Sequence, residues 1–314
     1  MFFLFDRANP HLGDTESIIT SLQTATKTIS NLVRKAALTG STGYHTEDGS
    51  LNIQGKKQKK LDVICNEVIK SCLKWSGKLG VLASEEEEWP IILESSSEIV
   101  NGSSGKHVVA SDALVGGHGN YVAVFDPLDG SSNVDVGIPV GTIFGIFRGN
   151  DECIVDEDEV LDLTEQERRC LQNTLQPGTN LVAAGYCLYS SSTVLVLTLG
   201  DGVHGFTLDD NIGEFVLTHP HITIPIRGKT YSFNEAHRWD WQDPVRQYIT
   251  DIQKGKGKSG KKYSCRYIGC MVADMHRTLL DGGIFGLLKD RKTEKRDVAG
   301  HVNNARGKLN DKIK

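Results

Sequence analysis

Two segments of the chain carry apolar residues at alternating spacings of three and four, which is the period of an amphipathic helix. The first covers residues 18–38, follows the polar positions Asp14, Thr15 and Ser17, and ends at the glycine-rich LTGSTG. The second covers residues 59–75 and places two cysteines on its apolar face. We therefore expect two amphipathic helices near the start of the chain, with these cysteines in the core.

Short apolar runs predict strands, and two of them stop abruptly at carboxylates. LGVLAS runs into four glutamates, and VAVF runs into DPLDGSSN. Helical patterns return at DPVRQYITDIQ and YIGCMVADMHRTLL. Because helices and strands mix without strict alternation, we expect an α+β fold of layered sheets and helices in two lobes. The other predicted strands, two of them joined by a Gly-Asp-Gly hairpin, are GTIFGIF, NLVAAGYCLY, STVLVLTLGDGVHGFTL, GEFVLT and part of ITIPIRGKTYSFNE.

Composition and charge narrow the possible classes of function. The 314 residues carry 35 Lys and Arg against 40 Asp and Glu, so no net positive charge favours a nucleic-acid partner. No apolar run approaches the roughly 20 residues that a membrane helix needs. Seven cysteines without a CxxC motif favour neither a disulfide framework nor a structural zinc site. These patterns predict a globular protein without a nucleic-acid or membrane partner.

The carboxylates at the two strand ends are the strongest chemical signal. Asp126 and Asp129 lie three residues apart across Pro127, and Glu85 and Glu86 follow the other strand. If the two strands are neighbours, these oxygens converge, and hard oxygen ligands suit Mg²⁺ or Mn²⁺. The GSSN after Asp129 supplies hydroxyls and backbone N–H groups for a phosphate, provided that a helix begins there. Together these features predict metal-assisted hydrolysis of a phosphoester.

Each acidic motif also has a purely structural explanation. Asp-Pro and Asp-Gly steps are common in turns, and a run of four glutamates is commonly a solvated surface. A turn explains Pro127 and Gly130, but it leaves the pair Asp126 and Asp129 unexplained. We therefore favour the functional explanation for DPLDGSSN more strongly than for SEEEE.

Longer motifs follow one another between Ser17 and Phe285: KKLDV, ASEE, FDPLDGSSN, GTIFGI, QPGTNLVAAGY, YSFNE and MVADMHRTL. Their content and order resemble the fructose-1,6-bisphosphatase family, within the lithium-sensitive, metal-dependent sugar phosphatases. The resemblance implies the family's layered sugar-phosphatase fold of two lobes. It also implies Mg²⁺-dependent removal of the 1-phosphate of fructose 1,6-bisphosphate, in gluconeogenesis or the Calvin cycle.

The resemblance further implies roles for individual residues. The implied catalytic acids are Glu67, Glu86 and Asp126, of which the two glutamates orient or deprotonate the attacking water. The implied metal ligands are Glu85, Asp126, Asp129 and the carbonyl of Leu128. The implied substrate contacts are Gly130, Ser131, Ser132 and Asn133 for the scissile phosphate, and Asn234, Tyr267 and, from a neighbouring subunit, Arg266 for the far phosphate. Without the resemblance, Asn234 is equally explained as a turn residue and Tyr267 as a core aromatic.

The chain departs from the family pattern near its C-terminal end. His237 and Leu287 stand where the family has tyrosines, and the family's KLRLLYE segment, with a substrate-binding lysine and a metal-binding glutamate, has no counterpart. We therefore expect an N-terminal lobe over residues 11–219, a truncated sugar-binding lobe over 220–288 and a divergent basic tail over 289–314. Two alternatives stay open: a sedoheptulose-bisphosphatase or broader sugar phosphatase, and a catalytically impaired homologue with a regulatory or binding role.

An acidic segment bracketed by Cys153 and Cys170 resembles the redox loop of the plastid members of the family. The resemblance implies a regulatory disulfide between these cysteines that thioredoxin reduces, and it implies location in the plastid stroma. Two unpaired surface thiols are the alternative. No transit peptide is recognisable before the first helix, which keeps the cytoplasm open as a location. The family also implies a homotetramer.

Overall fold

The computed structural model of the chain describes residues 10–45, 58–87, 89–93, 119–149, 173–256 and 260–287. The α-helices in these ranges are α1 (Pro10–Lys35), α2 (Lys60–Trp75), α3 (Asp243–Lys254) and α4 (Met271–Asp281). The strands in these ranges are β1 (Leu79–Ser84), β2 (Ile91–Ile92), β3 (Tyr121–Asp129), β4 (Val140–Arg148), β5 (Leu181–Tyr189), β6 (Thr193–Thr198), β7 (His204–Asp209), β8 (Glu214–His219), β9 (Thr230–Ser232), β10 (Ser264–Cys265) and β11 (Ile284–Phe285). This mixture of helices and sheets confirms the predicted α+β fold. None of the helices described is long and apolar enough to cross a membrane.

Eight strands form the larger sheet, in the order β2-β1-β3-β4-β5-β6-β7-β8. β1 and β3 run parallel, with Ser84 opposite Phe125, whereas the other neighbours are antiparallel. Two parallel strands that lie side by side present their carboxyl ends at the same edge of the sheet. The two strands that end in carboxylates are therefore neighbours, which the predicted acidic cluster requires.

α1 and α2 pack together over one face of the larger sheet, as their apolar periodicity predicts. Ile18 of α1 and Ile69 of α2 are fully buried in a core that they share with the sheet. The predicted start of α1 is wrong, because the helix begins at Pro10 rather than after Ser17. The Ser17 hydroxyl donates back to the Gly13 carbonyl at 3.2 Å, so this serine lies inside the helix and does not cap it.

The smaller sheet has the order β10-β9-β11, with parallel neighbours. α3 covers it through a separate core that includes Tyr231 and Trp241. The strand predicted in ITIPIRGKTYSFNE is confined to β9. Ile224 and Ile226, which precede β9, are exposed and therefore have no buried face against which a strand could form.

α4 lies on the opposite face of the larger sheet from α1 and α2. Side chains alternate along β4, so that Phe144 joins the core under α1 and α2 while Ile143 packs toward α4. Val272 of α4 lies directly over Gly141, where an added Cβ would come within 2.5 Å of the valine side chain. Gly141 therefore allows α4 to approach the sheet. The helix begins at Met271, four residues later than YIGCMVADMHRTLL predicts.

Candidate active site

The predicted acidic cluster forms where β1 and β3 end. Glu85 follows β1, and its backbone N–H donates to the Phe125 carbonyl at 3.1 Å, which ties the two strand ends together. Asp126 and Asp129 lie within the last four residues of β3. The charge of Glu85 acts on both aspartates, so the three carboxylates lie within electrostatic reach of one another.

A β-bulge explains how two aspartates three positions apart meet the same neighbour. Asp126 lies opposite Ile143, whereas Asp129 lies opposite Gly141, so β3 carries one more residue than β4 between these pairs. The Leu128 N–H donates to Asp126 Oδ1 at 3.0 Å and closes the bulge. The DPLD sequence therefore encodes the bulge as well as the two acids.

Burial and mutual repulsion dominate the electrostatics of these acids. Burial raises the pKa of Asp126 well above its usual range, and the Glu85 charge, a hydrogen bond shared with Glu85 and the Asp129 charge raise it further. Burial also raises the pKa of Asp129, where Glu85 adds to the increase and hydrogen-bond donors oppose it. Like charges that are desolvated together destabilise one another, and a cation placed among them relieves that repulsion.

The donor set fits a hard divalent cation, because all three side chains offer carboxylate oxygens. Within the described ranges, however, no three Asp, Glu, His or Cys side chains are arranged as a finished metal-ligand set. Glu85 and Asp126 share a hydrogen bond with each other.

Asp129, in contrast, is held from outside the cluster by the start of α4. Its Oδ2 accepts a hydrogen bond from the Val272 backbone N–H at 2.8 Å and another from the Cys270 thiol at 3.0 Å. Burial raises the pKa of the Cys270 thiol, and the Asp129 charge raises it further, so the neutral thiol is the donor. Sequence reasoning missed both residues, because their contact with Asp129 spans more than 140 positions of the chain.

The GSSN segment forms a tight turn followed by the 3₁₀-helix Ser131–Val136, so a helix does begin at this point. Gly130 has φ 75°, a left-handed conformation that favours glycine. The Ser131 hydroxyl donates to Asp62 Oδ2 at 3.2 Å, and Ser132 is exposed. The Asn133 amide donates to two backbone carbonyls, those of Pro139 at 3.1 Å and Ile268 at 3.2 Å.

Asp62 is a buried acid beside this turn that sequence reasoning missed. Its Oδ2 accepts hydrogen bonds from Ser131 and from the Lys59 backbone N–H at 2.8 Å. Burial raises the pKa of Asp62, and these two hydrogen bonds oppose the increase. The KKLDV motif contained the signal, because a single acid between apolar helix positions must find polar partners when it is buried.

Of the two glutamates expected to act on water, Glu86 directly follows Glu85 in the chain and Glu67 lies on α2. Glu86 Oε2 accepts a hydrogen bond from the Gln58 amide at 2.5 Å. Glu67, on α2, forms an ion pair with Lys70 at 2.6 Å, and 62% of its side chain is exposed. Lys70 also pairs with Glu87 at 2.6 Å, so one lysine links α2 to the segment that follows β1.

The residues expected to bind the far phosphate lie in two loops of the second lobe. Asn234 Oδ1 accepts from the Ala236 N–H at 3.2 Å and so caps the 3₁₀-helix Glu235–Asp240. Tyr267 is 43% exposed, and Arg266 is also exposed. Burial raises the pKa of Tyr267, and the charges of Asp274 and then Asp129 contribute to the increase. Tyr267 therefore lies close enough to the acidic cluster to sense its charge.

A buried ion pair supports the Arg266–Tyr267 loop from behind. Asp274 is 1% exposed and accepts from the Ile268 N–H at 3.0 Å and from Arg277 at 2.7 Å. Arg277 in turn donates to the Arg266 carbonyl at 3.0 Å. Sequence reasoning missed Asp274, which has no distinguishing feature within its helix apart from being a buried acid.

The positions that depart from the family pattern are both at the surface. His237 is exposed and lies 3.9 Å from Asp240, and Leu287 is 60% exposed. Cys153 and Cys170 lie outside the described residues, so the disulfide stays a prediction. The predicted lobe boundaries and the roles of the individual site residues also stay predictions.

Comparison with family models matches nearly the whole chain. Residues 5–118 and 114–220 match the model described as fructose-1-6-bisphosphatase, N-terminal domain. Residues 224–299 match the model described as the C-terminal domain. The two models together account for both lobes of the fold.

Curated proteins and solved structures agree with this assignment. Fructose-1,6-bisphosphatase 1, chloroplastic, of Arabidopsis thaliana is 50% identical over 278 residues, which are 88% of this chain and 61% of that protein. The chloroplastic fructose-1,6-bisphosphatase of Brassica napus is 49% identical, over 90% of this chain and 63% of that protein. The chain thus spans about three fifths of the length of these curated relatives.

Among solved structures, the Leishmania major fructose-1,6-bisphosphatase in holo form aligns with a TM-score of 0.74. The alignment has 40% sequence identity and covers 91% of this chain and 77% of that one. Agreement in sequence, in fold and in both domain models leads to one conclusion. The chain belongs to the fructose-1,6-bisphosphatase family.

Proposed function

We propose that this protein hydrolyses the 1-phosphate of fructose 1,6-bisphosphate to give fructose 6-phosphate and phosphate. The observation that carries the proposal is the meeting of Glu85 with Asp126 and Asp129 at the ends of two parallel strands, directly beside the Gly130 turn. Family membership supports the same reaction, because the relatives named above carry the name of that activity. A structural role does not account for two desolvated aspartates on which the charge of Glu85 acts.

Mg²⁺ is the proposed cofactor, and Mn²⁺ is the alternative of similar chemistry. Glu85, Asp126, Asp129 and the Leu128 carbonyl would hold the cation, since hard oxygen donors suit both metals. When bound there, the cation polarises the phosphoryl oxygens and lowers the pKa of a water molecule. Asp126 is suited to this role, because its charged form is disfavoured by burial and gains most from a cation nearby.

The chain's own residues would bind the substrate and move the proton. The left-handed turn at Gly130 and the start of the 3₁₀-helix would present Ser131, Ser132 and their backbone N–H groups to the scissile phosphate. Glu86 and Glu67 would orient the attacking water and accept its proton. The water would attack phosphorus directly as the bond from phosphorus to the C1 oxygen breaks, and the C1 oxygen would take up a proton as fructose 6-phosphate leaves, so no covalent phosphoenzyme is needed.

The second lobe would bind the sugar and the far phosphate. Tyr267 lies near enough to Asp129 to link this lobe to the acidic cluster. Arg266 offers an exposed guanidinium, which suits bidentate phosphate binding, and in a homotetramer it would act on the site of a neighbouring subunit. Asn234 would contact the same phosphate from the cap of its 3₁₀-helix.

Sedoheptulose 1,7-bisphosphate is a second candidate substrate. His237 lies beside the Asn234 cap, and Leu287 is exposed shortly after β11, so both departures from the family pattern lie in the sugar-binding lobe. These side chains differ from tyrosine in shape and hydrogen bonding, and a longer sugar would contact this region differently.

The test is steady-state phosphate release from each bisphosphate by the purified, reduced chain with Mg²⁺. Fructose 6-phosphate, offered alone, is the control for removal of the second phosphate. We expect preference for fructose 1,6-bisphosphate, with fructose 6-phosphate as the product by ³¹P NMR. Preference for the seven-carbon bisphosphate would reassign the substrate, and silence from folded protein that binds Mn²⁺ would favour a regulatory homologue.

We further propose plastid location and redox control through a disulfide between Cys153 and Cys170. The support is the resemblance of their segment to the plastid redox loop, together with relatives that are named chloroplastic. A disulfide that a dithiol such as thioredoxin can reach is open to thiol–disulfide exchange. Reduction is expected to raise the activity of the wild type and to leave Cys153→Ser unchanged. An equal response of both proteins to reductant would end this part of the proposal.

A further inference from the structure

The start of α4 forms a bridge from the second lobe to the acidic cluster. The Cys270 thiol and the Val272 N–H both donate to the same oxygen, Asp129 Oδ2, at 3.0 and 2.8 Å. We propose that Cys270 is a positioning residue that fixes the Asp129 carboxylate for binding of the divalent cation. This inference rests on the proposed function, because it assigns the role of Asp129 within that site.

The convergence of two donors on one oxygen is the first argument. Rotation of the Asp129 carboxylate away from α4 would break both hydrogen bonds at once. Glu85 and Asp126 are hydrogen-bonded to each other, whereas Asp129 accepts hydrogen bonds from the start of α4. Asp129 is thus the fixed member of the cluster, about which the other two carboxylates can rearrange around a cation.

The close packing around Cys270 is the second argument. Cys270 is 1% exposed, and a Cβ added at Gly130 would lie 2.8 Å from the Cys270 Cβ. The Cβ of Cys270 therefore packs directly against the turn that follows Asp129. A second contact joins the same two segments, because the Asn133 amide donates to the Ile268 carbonyl at 3.2 Å. The side chain at position 270 is thus held between this turn and the Asp129 carboxylate.

The position of α4 on the sheet is the third argument. Val272 lies over Gly141, where the missing side chain allows the helix to come close. This contact fixes the height at which the first turn of α4 meets β3 and β4. The packing of α4 on the sheet therefore positions the Cys270 thiol beside Asp129. A substitution of Cys270 alone removes the hydrogen bond from this thiol.

The experiment measures Mn²⁺ binding directly, by the EPR signal of free Mn²⁺, in wild type and three variants. Cys270→Ala removes the donor, and Cys270→Ser keeps a donor in the same place. Cys187→Ala removes another fully buried thiol, on β5, and is the matched control for the cavity. We expect Cys270→Ala to weaken binding by about 10- to 100-fold, which is typical when a hydrogen bond to a metal ligand is lost. Cys270→Ser and Cys187→Ala should stay within about threefold of wild type.

Each outcome distinguishes this inference from the proposed function. If wild type binds no Mn²⁺, the metal site of the proposed function fails. If wild type binds Mn²⁺ and Cys270→Ala binds it equally well, only the positioning role fails. Should Cys270→Ala not fold, Cys270→Ser decides the matter. Retained Mn²⁺ affinity supports the positioning role, and a loss of more than about tenfold with intact circular dichroism overturns it.

Discussion

The two sides of the candidate site are built in opposite ways. On the acid side, the functional groups themselves are desolvated, and Asp126 and Asp129 repel Glu85 and each other. On the far-phosphate side, Arg266 and Tyr267 are exposed, and the buried Asp274, paired with Arg277, holds their loop from behind.

The two sides therefore differ in whether the functional groups or their supporting contacts are buried. The acid side keeps like charges together at a cost in stability, which the proposed cation would offset. On the far-phosphate side, the proposed binding groups are exposed to solvent, and the contacts that support them are buried behind the loop. Substitutions should therefore separate activity from stability on the acid side, and should reduce both on the other side.

The largest expected effect is that of Asp126→Asn. Turnover should fall by at least about 100-fold, because a cluster carboxylate is lost. The pKa of Asp126 is raised by burial, so charging this group at pH 8 costs folding free energy that Asn does not. In EDTA at pH 8 the variant should therefore melt about 2–4 °C above wild type.

Asp135→Asn is the matched control for this stability effect. The Asp135 pKa is lowered by its hydrogen bond to Lys59, so here the charged form stabilises the fold. This variant should melt at or below the wild-type temperature under the same conditions. If both variants shift the melting temperature in the same direction, charge repulsion is not what distinguishes the acid side.

Asp274→Ala tests the support behind the far-phosphate loop. Removing one partner of a buried ion pair leaves Arg277 uncompensated, which costs about 3–5 kcal/mol of the free energy of unfolding. The Ile268 N–H loses its acceptor, and Arg277, which donates to the Arg266 carbonyl, loses the partner that orients it, so KM for the bisphosphate should rise more than kcat falls. Urea unfolding and steady-state kinetics measure the two effects.

The double variant Asp274→Leu with Arg277→Met separates charge from support. It should recover part of the stability, because no unpaired charge is left. It should keep the raised KM, because the loop still lacks its hydrogen bonds. Recovery of the wild-type KM would mean that the ion pair does not hold the loop in place.

Gly141→Ala tests whether α4 couples the two sides. The new Cβ would lie 2.5 Å from Val272, and overpacking of this kind costs about 1–3 kcal/mol. α4 should shift outward and weaken Mn²⁺ binding through Asp129. Adding Val272→Gly removes the Cβ and both methyl groups that the new methyl group would meet, and should restore Mn²⁺ binding. A double variant as impaired as the single one would rule out this contact as the cause.

His276 gives the smallest expected effect. It lies on α4, and its Nδ1 is 3.0 Å from the Tyr186 hydroxyl of β5. Burial lowers the pKa of His276, and the charge of His219 lowers it further, so the unfolded chain binds the proton more readily. Stability should therefore be fully present above the unfolded pKa of about 6.5, and should be lost as pH falls through the lower folded pKa.

The loss cannot exceed about 1.4 kcal/mol per pH unit for one proton. His276→Gln should flatten this part of the pH profile, which urea unfolding between pH 7.5 and pH 5 would measure. An unchanged pH slope in the variant would show that protonation of other groups controls the stability of this region.

The sequence predicted the parts of the site that depend on neighbouring residues. Acids at the ends of two apolar runs predicted the cluster, since only the pairing of β1 with β3 was needed to bring Glu85 to Asp126. The turn at Gly130 and the helix after it followed from GSSN in the same way.

The sequence did not predict contacts that join distant segments. Cys270 has no property of a typical helix cap, and its role appears only once α4 lies on the sheet. The same holds for the contact of Val272 with Gly141. Position 141 requires a glycine only because α4 lies over it. The start of α1 was missed because Ser17 has the composition of a cap but lies within the helix.

The most direct test of the central claim is phosphate release from fructose 1,6-bisphosphate as Mg²⁺ is added to EDTA-treated, reduced wild-type protein. If the acidic cluster serves a divalent cation, release begins from zero, rises with Mg²⁺ to saturation and is abolished again by EDTA. Folded protein that releases no phosphate at any Mg²⁺ concentration, or that releases it equally in EDTA, would contradict the account.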